Sequence, residues 1–280
     1  MTINTHSINS LKKEELQRHI ISLGEEKFRA KQLWKWLYVK GAKSFSEMTD
    51  IGKNLRLKLS DNNNIQRLKT SQHQVSVDGT QKWVFELFDG NKIETVFIPE
   101  EERGTLCISS QVGCTLNCSF CHTGTMALVR NLTSDEIIGQ LLVVKDYLDD
   151  WDYKKNNRKI TNIVFMGMGE PLANYSRTLE AVKRLNDQKG LNIGARNITI
   201  STVGLVPKIL DLAKEKIQVN LAVSIHAPDD KTRSQTVPIN NTYPIGDLIE
   251  ACKKYIEITN RKVFFAHNLS LIMLKHFSVL

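Results

Sequence analysis

Apolar and polar positions along this chain change their period twice, and each change marks a different kind of structure. Up to about residue 62 the spacing is helical. Ser10-Leu-Lys-Lys-Glu-Glu-Leu16 predicts one helix, with Ser10 as N-cap and Glu14 and Glu15 in the first turn. Phe28-Arg-Ala-Lys-Gln-Leu-Trp-Lys-Trp-Leu-Tyr38 predicts another, with Leu33, Trp34, Trp36, Leu37 and Tyr38 toward a core and Lys31, Lys35 and Lys40 toward solvent. Asp61-Asn-Asn-Asn64 ends this region. From Gln66 to Pro99 short alternating stretches follow, broken at Asp78-Gly79 and Asp89-Gly90, two hairpin turns. From Thr105 onward strand and helix alternate. Strands are expected over 105–112, 160–166, 196–201, 219–224 and 262–265, and helices over 134–147, 176–186, 206–216 and 244–259. The chain thus divides into a helical unit (1–62), an antiparallel β segment (63–103), an α/β unit (104–265) and a tail (266–280).

Repeated strand–helix–strand units imply a parallel sheet with right-handed crossovers. Binding residues then gather beyond the carboxyl ends of the strands. That rule brings a cysteine-rich loop, Gly169-Glu170, Ser201 and Ser224-Ile225-His226 to one mouth. Glycine at 169 lets backbone approach a ligand. Glu170 can accept charge-assisted hydrogen bonds, or simply cap a loop before Pro171. Ser201 and His226 can bond a sugar, a carboxylate or a base edge, although either residue type alone is more often structural.

The loop reads Gln111-Val-Gly-Cys-Thr-Leu-Asn-Cys-Ser-Phe-Cys-His-Thr-Gly124, so Cys114, Cys118 and Cys121 are spaced C-x3-C-x2-C. A [4Fe–4S] cube takes four thiolates when fully protein-bound; three leave one iron open to a ligand from elsewhere. The alternative is a structural zinc ion with His122 or a remote residue as fourth ligand. With Phe120 before the last cysteine, the spacing resembles that of the radical S-adenosylmethionine enzymes. The flanking motifs Ile93–Pro99, Arg103–Cys114, Phe165–Leu172 and Leu221–Pro228 occur in the order found in RlmN-type adenine carbon-2 methyltransferases. Those enzymes modify 23S rRNA and, in some bacteria, tRNA.

The resemblance implies a partial (β/α) barrel, preceded by a helical RNA-binding accessory domain and an antiparallel β segment. It implies a [4Fe–4S] cluster on Cys114, Cys118 and Cys121, with S-adenosyl-L-methionine on its open iron. The cofactor would be lined by Gly169, Glu170, Ser201, Ser224, Ile225 and His226. Glu94 would be the general base that removes a proton from the adenine. Cys107 would form a transient disulfide with a methyl-bearing C-terminal cysteine. In the implied reaction one S-adenosylmethionine methylates that cysteine, and a second yields the 5′-deoxyadenosyl radical that activates the methyl group. A flavodoxin- or reductase-type electron donor and a monomeric enzyme are implied as well.

Composition agrees without leading there. The formal charge of +8 and pI of about 9.2 suit a polyanionic partner. No apolar run reaches membrane-spanning length, the N-terminus lacks the pattern of a secretory signal, and the five cysteines read as reduced thiols of a cytoplasmic protein. Cys252, on an amphipathic helix, reads as packing. The departure from the family pattern is the tail, Ala266–Leu280, which holds no cysteine. A truncated or frameshifted product is expected, with slow or absent cofactor cleavage and no methyl transfer. Two further readings remain beside the enzyme: a catalytically incomplete cluster-bearing RNA binder, and a zinc-stabilised RNA-binding protein.

Overall fold

The computed structural model describes residues 6–152 and 158–267. Expectations for the tail therefore lie, from residue 268 onward, outside the described residues. Short strands β1 (His6–Ser7) and β2 (Asn63–Asn64) pair in parallel around three helices, α1 (Lys13–Ser22), α2 (Phe28–Tyr38) and α3 (Lys53–Asn62). Ser10 is not the N-cap of α1, contrary to expectation. It ends a 3-10 turn over Ile8–Ser10, and its hydroxyl donates to the Ser7 carbonyl at 2.8 Å. Arg184 fixes this turn by donating to the carbonyls of Asn9 (2.8 Å) and Ser10 (3.1 Å). The cap position falls to Lys12, whose N–H is accepted by the Glu15 carboxylate at 2.7 Å.

The second helix follows its pattern. Leu33, Trp34, Leu37 and Tyr38 are buried, and Lys31, Lys35 and Lys40 are exposed. Trp36 is half-buried because its indole N–H donates to Asp50 (2.5 Å), while the Lys40 ammonium sits 3.4 Å from its ring centre.

Strands β3 (Lys69–Val75), β4 (Gln81–Glu86), β5 (Lys92–Pro99) and β6 (Gly104–Cys107) run antiparallel in sequence order. Their turns fall at Asp78-Gly79 and Asp89-Gly90, closed by Ser76 N–H to Thr80 O and Leu87 N–H to Asn91 O, both 2.8 Å. Next come the two-residue strands β7 (Gln111–Val112) and β8 (Arg130–Asn131), which pair with each other, and helix α4 (Ser134–Leu148). The chain then alternates through β9 (Asn162–Phe165), α5 (Tyr175–Leu185), β10 (Ile198–Thr202), α6 (Val206–Ala213), β11 (Asn220–Ser224), α7 (Asp230–Thr236), α8 (Ile245–Thr259) and β12 (Val263–Ala266).

One eight-stranded sheet results, in the order β12-β11-β10-β9-β6-β5-β4-β3. Strands β6, β9, β10, β11 and β12 are parallel neighbours, and the hairpin strands extend the sheet past β6. A single apolar cluster runs from Ile8 through the sheet to Tyr255. Helix α4 lies deep in it, and its N-terminus carries a capping box in which Thr133 and Glu136 satisfy each other's backbone N–H.

The strand expected over 105–112 is broken after Cys107. Ile108 still donates to Val164 O at 3.0 Å, but the Ser109 N–H turns to the side chain of buried Gln140 (2.8 Å) and the Ser110 N–H to Met168 O (2.9 Å). A side chain of α4 thus replaces the ladder and redirects the chain. The seven-residue helix α7 was not expected from the sequence; its start is capped by Asp229, whose carboxylate accepts from the Thr232 N–H at 2.8 Å.

Candidate active site

The cysteine loop is tied at its base by β7 and β8, with Val112 opposite Arg130. Within it, the Cys114 N–H donates to Met126 O (3.2 Å) and the Cys121 N–H to Cys118 O (3.1 Å). Gly124 passes so close that a β-carbon there would lie 2.5 Å from the Cys118 carbonyl oxygen. From outside, the Ser119 N–H donates to Thr236 O of α7 at 3.0 Å.

The loop closes over a cavity of about 250 Å³ at the carboxyl ends of β9, β10 and β11. Eight of the eleven expected site residues line it: Cys114, Cys118, Cys121, Gly169, Glu170, Ser201, Ser224 and His226. Gly169 has φ +93°, and a β-carbon there would lie 2.4 Å from the Gln111 side chain, so only glycine fits. His226 is also left-handed, at φ +56°, and its ring meets that of Phe120 edge-on with centroids 4.4 Å apart.

Three expected residues do not line the cavity. Ile225 points elsewhere; it contributes backbone, with its N–H donating to Ala266 O and its carbonyl accepting from Arg233, both at 3.0 Å. Glu94 is exposed on β5, 3.3 Å from the Lys82 ammonium. Cys107 sits in β6, opposite Val96 on one side and Val164 on the other. Directly paired residues share a sheet face, and i, i+2 neighbours do too. Glu94, Cys107 and Val164 therefore share one face. The Thr95 hydroxyl donates to Gln140 of α4 at 2.7 Å, so that face is the one turned away from α4.

Burial governs the electrostatics. The Glu170 carboxyl is fully enclosed and pushed up to about 7, although the N–H groups of Leu172 (2.9 Å) and Val203 (3.0 Å) donate to it and partly offset the cost. Desolvation holds the Cys114 thiol above its ordinary value and that of Cys118 at about 12, and lowers His226 to about 4. Cys107, enclosed in the sheet, is raised to about 11. Burial thus disfavours the charged forms of Cys114, Cys118 and Glu170 around the cavity.

All five cysteines are free, so the disulfide expected at Cys107 is not present. It would need a second thiol near β6, whereas Cys252 is buried on α8. Among the described residues no three His, Cys, Asp or Glu side chains converge on one metal-ion position. Three thiolates on one loop would hold three irons of a cube and leave the fourth open to another ligand.

Several cavity residues were not legible in the sequence. Thr202 and Val203 enter because β10 ends there, and Ala266 because β12 does. Gln111 supports the site by accepting from the Glu170 N–H at 2.8 Å and donating to Asn131 at 2.7 Å. Arg233 of α7 is fully buried behind the wall; an arginine in a polar stretch after Pro228 gives no sign of that.

Comparison with known proteins places these features in context. Residues 7–65 match the ribosomal RNA large subunit methyltransferase N-terminal domain, and residues 108–272 match the radical SAM superfamily. A dual-specificity RNA methyltransferase RlmN of Rhodopseudomonas palustris (strain BisB5) is 46% identical over 283 residues, spanning 96% of this chain and 70% of that protein. The protein of the same name from Bradyrhizobium diazoefficiens is 46% identical over 281 residues, spanning 96% and 69%. Among solved structures, a radical SAM methyltransferase from Sphaerobacter thermophilus superimposes with a TM-score of 0.86 at 42% identity, covering 93% of this chain and 75% of that one. No helix among the described residues is long and apolar enough to cross a membrane.

Proposed function

Since the chain belongs to the RlmN family of radical SAM RNA methyltransferases, we propose that its cavity serves methylation of adenosine carbon 2 in 23S rRNA, and in tRNA, with a [4Fe–4S] cluster and S-adenosyl-L-methionine. The observation that carries this reading is the meeting of three cysteines with Gly169, Glu170, Ser201, Ser224 and His226 around one cavity. Bound there, the cluster and its ligand supply one-electron cleavage of a carbon–sulfur bond.

The chain's own residues do the rest. Cys114, Cys118 and Cys121 would hold three irons of the cluster. The Glu170 carboxyl would meet the ligand's ammonium, and that cation would favour its ionised form. Gly169 lets the ligand lie against backbone. Ser201 and Ser224 offer hydroxyls for carboxylate or ribose, and the Phe120–His226 pair forms an aromatic wall for the adenine. Glu94 and Cys107 share the sheet face away from α4, on which a flipped RNA base would have to lie for Glu94 to act. Glu94 would accept the proton leaving carbon 2. Exposed Lys31 and Lys35 on α2 suit phosphate contacts. An external reductant must supply the electron.

The direct test supplies the reduced, anaerobically reconstituted chain with S-adenosylmethionine. Release of 5′-deoxyadenosine is expected, and Cys118→Ala should abolish it. No release, with intact cluster and bound ligand, would contradict the assignment of the cavity.

A further inference from the structure

Arg233 is a buried cation behind the cavity wall, and none of the roles above uses it. Its side chain is wholly enclosed, and among the described residues no carboxylate lies within ion-pair distance of it. Four acceptors take its N–H groups instead: Ile225 O (3.0 Å) from Nε, Asn240 Oδ1 (2.8 Å) from Nη1, and Val203 O (2.5 Å) and Ser224 O (3.3 Å) from Nη2. A buried guanidinium without a counter-ion is costly and persists only where its donors are satisfied.

The acceptors are not scattered. Val203 follows β10, and its own N–H donates to Glu170 at 3.0 Å. Ser224 ends β11, and Ser224 and His226 line the cavity on either side of Ile225. One guanidinium thereby joins the loops that carry most of the expected cofactor wall. The same helix reaches the third part of the site, since Thr236 O accepts from the Ser119 N–H in the cysteine loop.

We propose that Arg233 is a positioning residue that clasps the loops after β10 and β11 into one wall and holds a fixed positive charge behind the cysteine loop. The charge role rests on the cluster reading above, whereas the clasp does not. A nearby positive charge favours the more reduced, more negative state of a cluster. Lysine would keep the charge but lacks the planar fork that reaches four acceptors at once.

The test compares the wild-type chain with Arg233→Met and Arg233→Lys. In the cluster-free chain, amide hydrogen exchange in peptides covering 201–204 and 224–227 should rise about tenfold or more in both variants, while peptides of α2 exchange as in wild type. Unchanged exchange overturns the clasp. So does acceleration spread through the whole chain, which would show general unfolding instead. After reconstitution to matched iron and sulfide content, the midpoint potential of Arg233→Met should move to more negative values, with Arg233→Lys at the wild-type value. Equal potentials in all three overturn the charge role. A wild-type chain that takes up no iron refutes the cluster reading and the charge role with it, and the exchange data still decide the clasp.

Discussion

Among single residues, Glu170 is where chemistry and stability meet. Replacing it by Ala removes a charge-assisted contact to the ligand ammonium, so S-adenosylmethionine binding measured by calorimetry should weaken by about 1.5–3 kcal/mol. Unchanged binding would make it a loop carboxylate only. Its buried carboxyl also leaves a mark on folding. The native state holds this proton up to about pH 7, whereas an unfolded glutamate releases it near its ordinary value of 4.5. Between these values the native state binds more protons than the unfolded state, so this contribution is full below 4.5 and is lost as pH rises through 7. Urea titrations of Glu170→Gln should therefore show a flatter fall in stability over that window than wild type. At this scale the sequence was legible wherever a motif sat at a strand end, as with Gly169, Ser201 and Ser224. It was not legible for Arg233 or Gln111, whose importance comes from backbone groups brought close only by folding.

The decisive element is α4. Gln140, buried at 0% exposure, accepts from the Ser109 N–H and the Thr95 hydroxyl and donates to the Ser109 carbonyl at 2.9 Å. It thereby turns the chain out of β6 and aims it at the cysteine loop. Gln140→Leu would leave these groups unsatisfied. A loss of at least about 1–3 kcal/mol in urea unfolding is expected, together with poorer iron uptake. Full stability in that variant would show that the turn holds itself. The same feature explains why the strand over 105–112 was misread: apolar continuity through Ile108 resembles a strand, and a long-range amide from α4 leaves no local signal. Hairpins and α2, by contrast, are specified by neighbours in sequence, and they form where the pattern places them. The Ser10 cap failed for the same reason, since Arg184, far along the chain, claims the carbonyls of Asn9 and Ser10.

At the level of the whole molecule, the helical N-terminal part and the sheet share one apolar core. Arg184 donates to Asn9 and Ser10, Arg67 pairs with Asp146 at 3.0 Å, and Lys13 with Asp187 at 2.7 Å. One cooperative transition is therefore expected, with far-ultraviolet circular dichroism and tryptophan fluorescence giving the same urea midpoint. Two separated midpoints would show that the helical part unfolds by itself. The alternation of strands and helices made the parallel sheet readable in advance, but the merging of the antiparallel strands into that same sheet needed the register of β5 against β6. What the three cysteines hold decides the chemistry of the cavity. The most direct measurement is iron and acid-labile sulfide per chain after anaerobic reconstitution, in wild type and in the Ala variants of Cys114, Cys118, Cys121 and Cys252. The account predicts about four of each in wild type and in Cys252→Ala, with loss of the brown chromophore in the other three variants. Stoichiometric zinc without sulfide would contradict it.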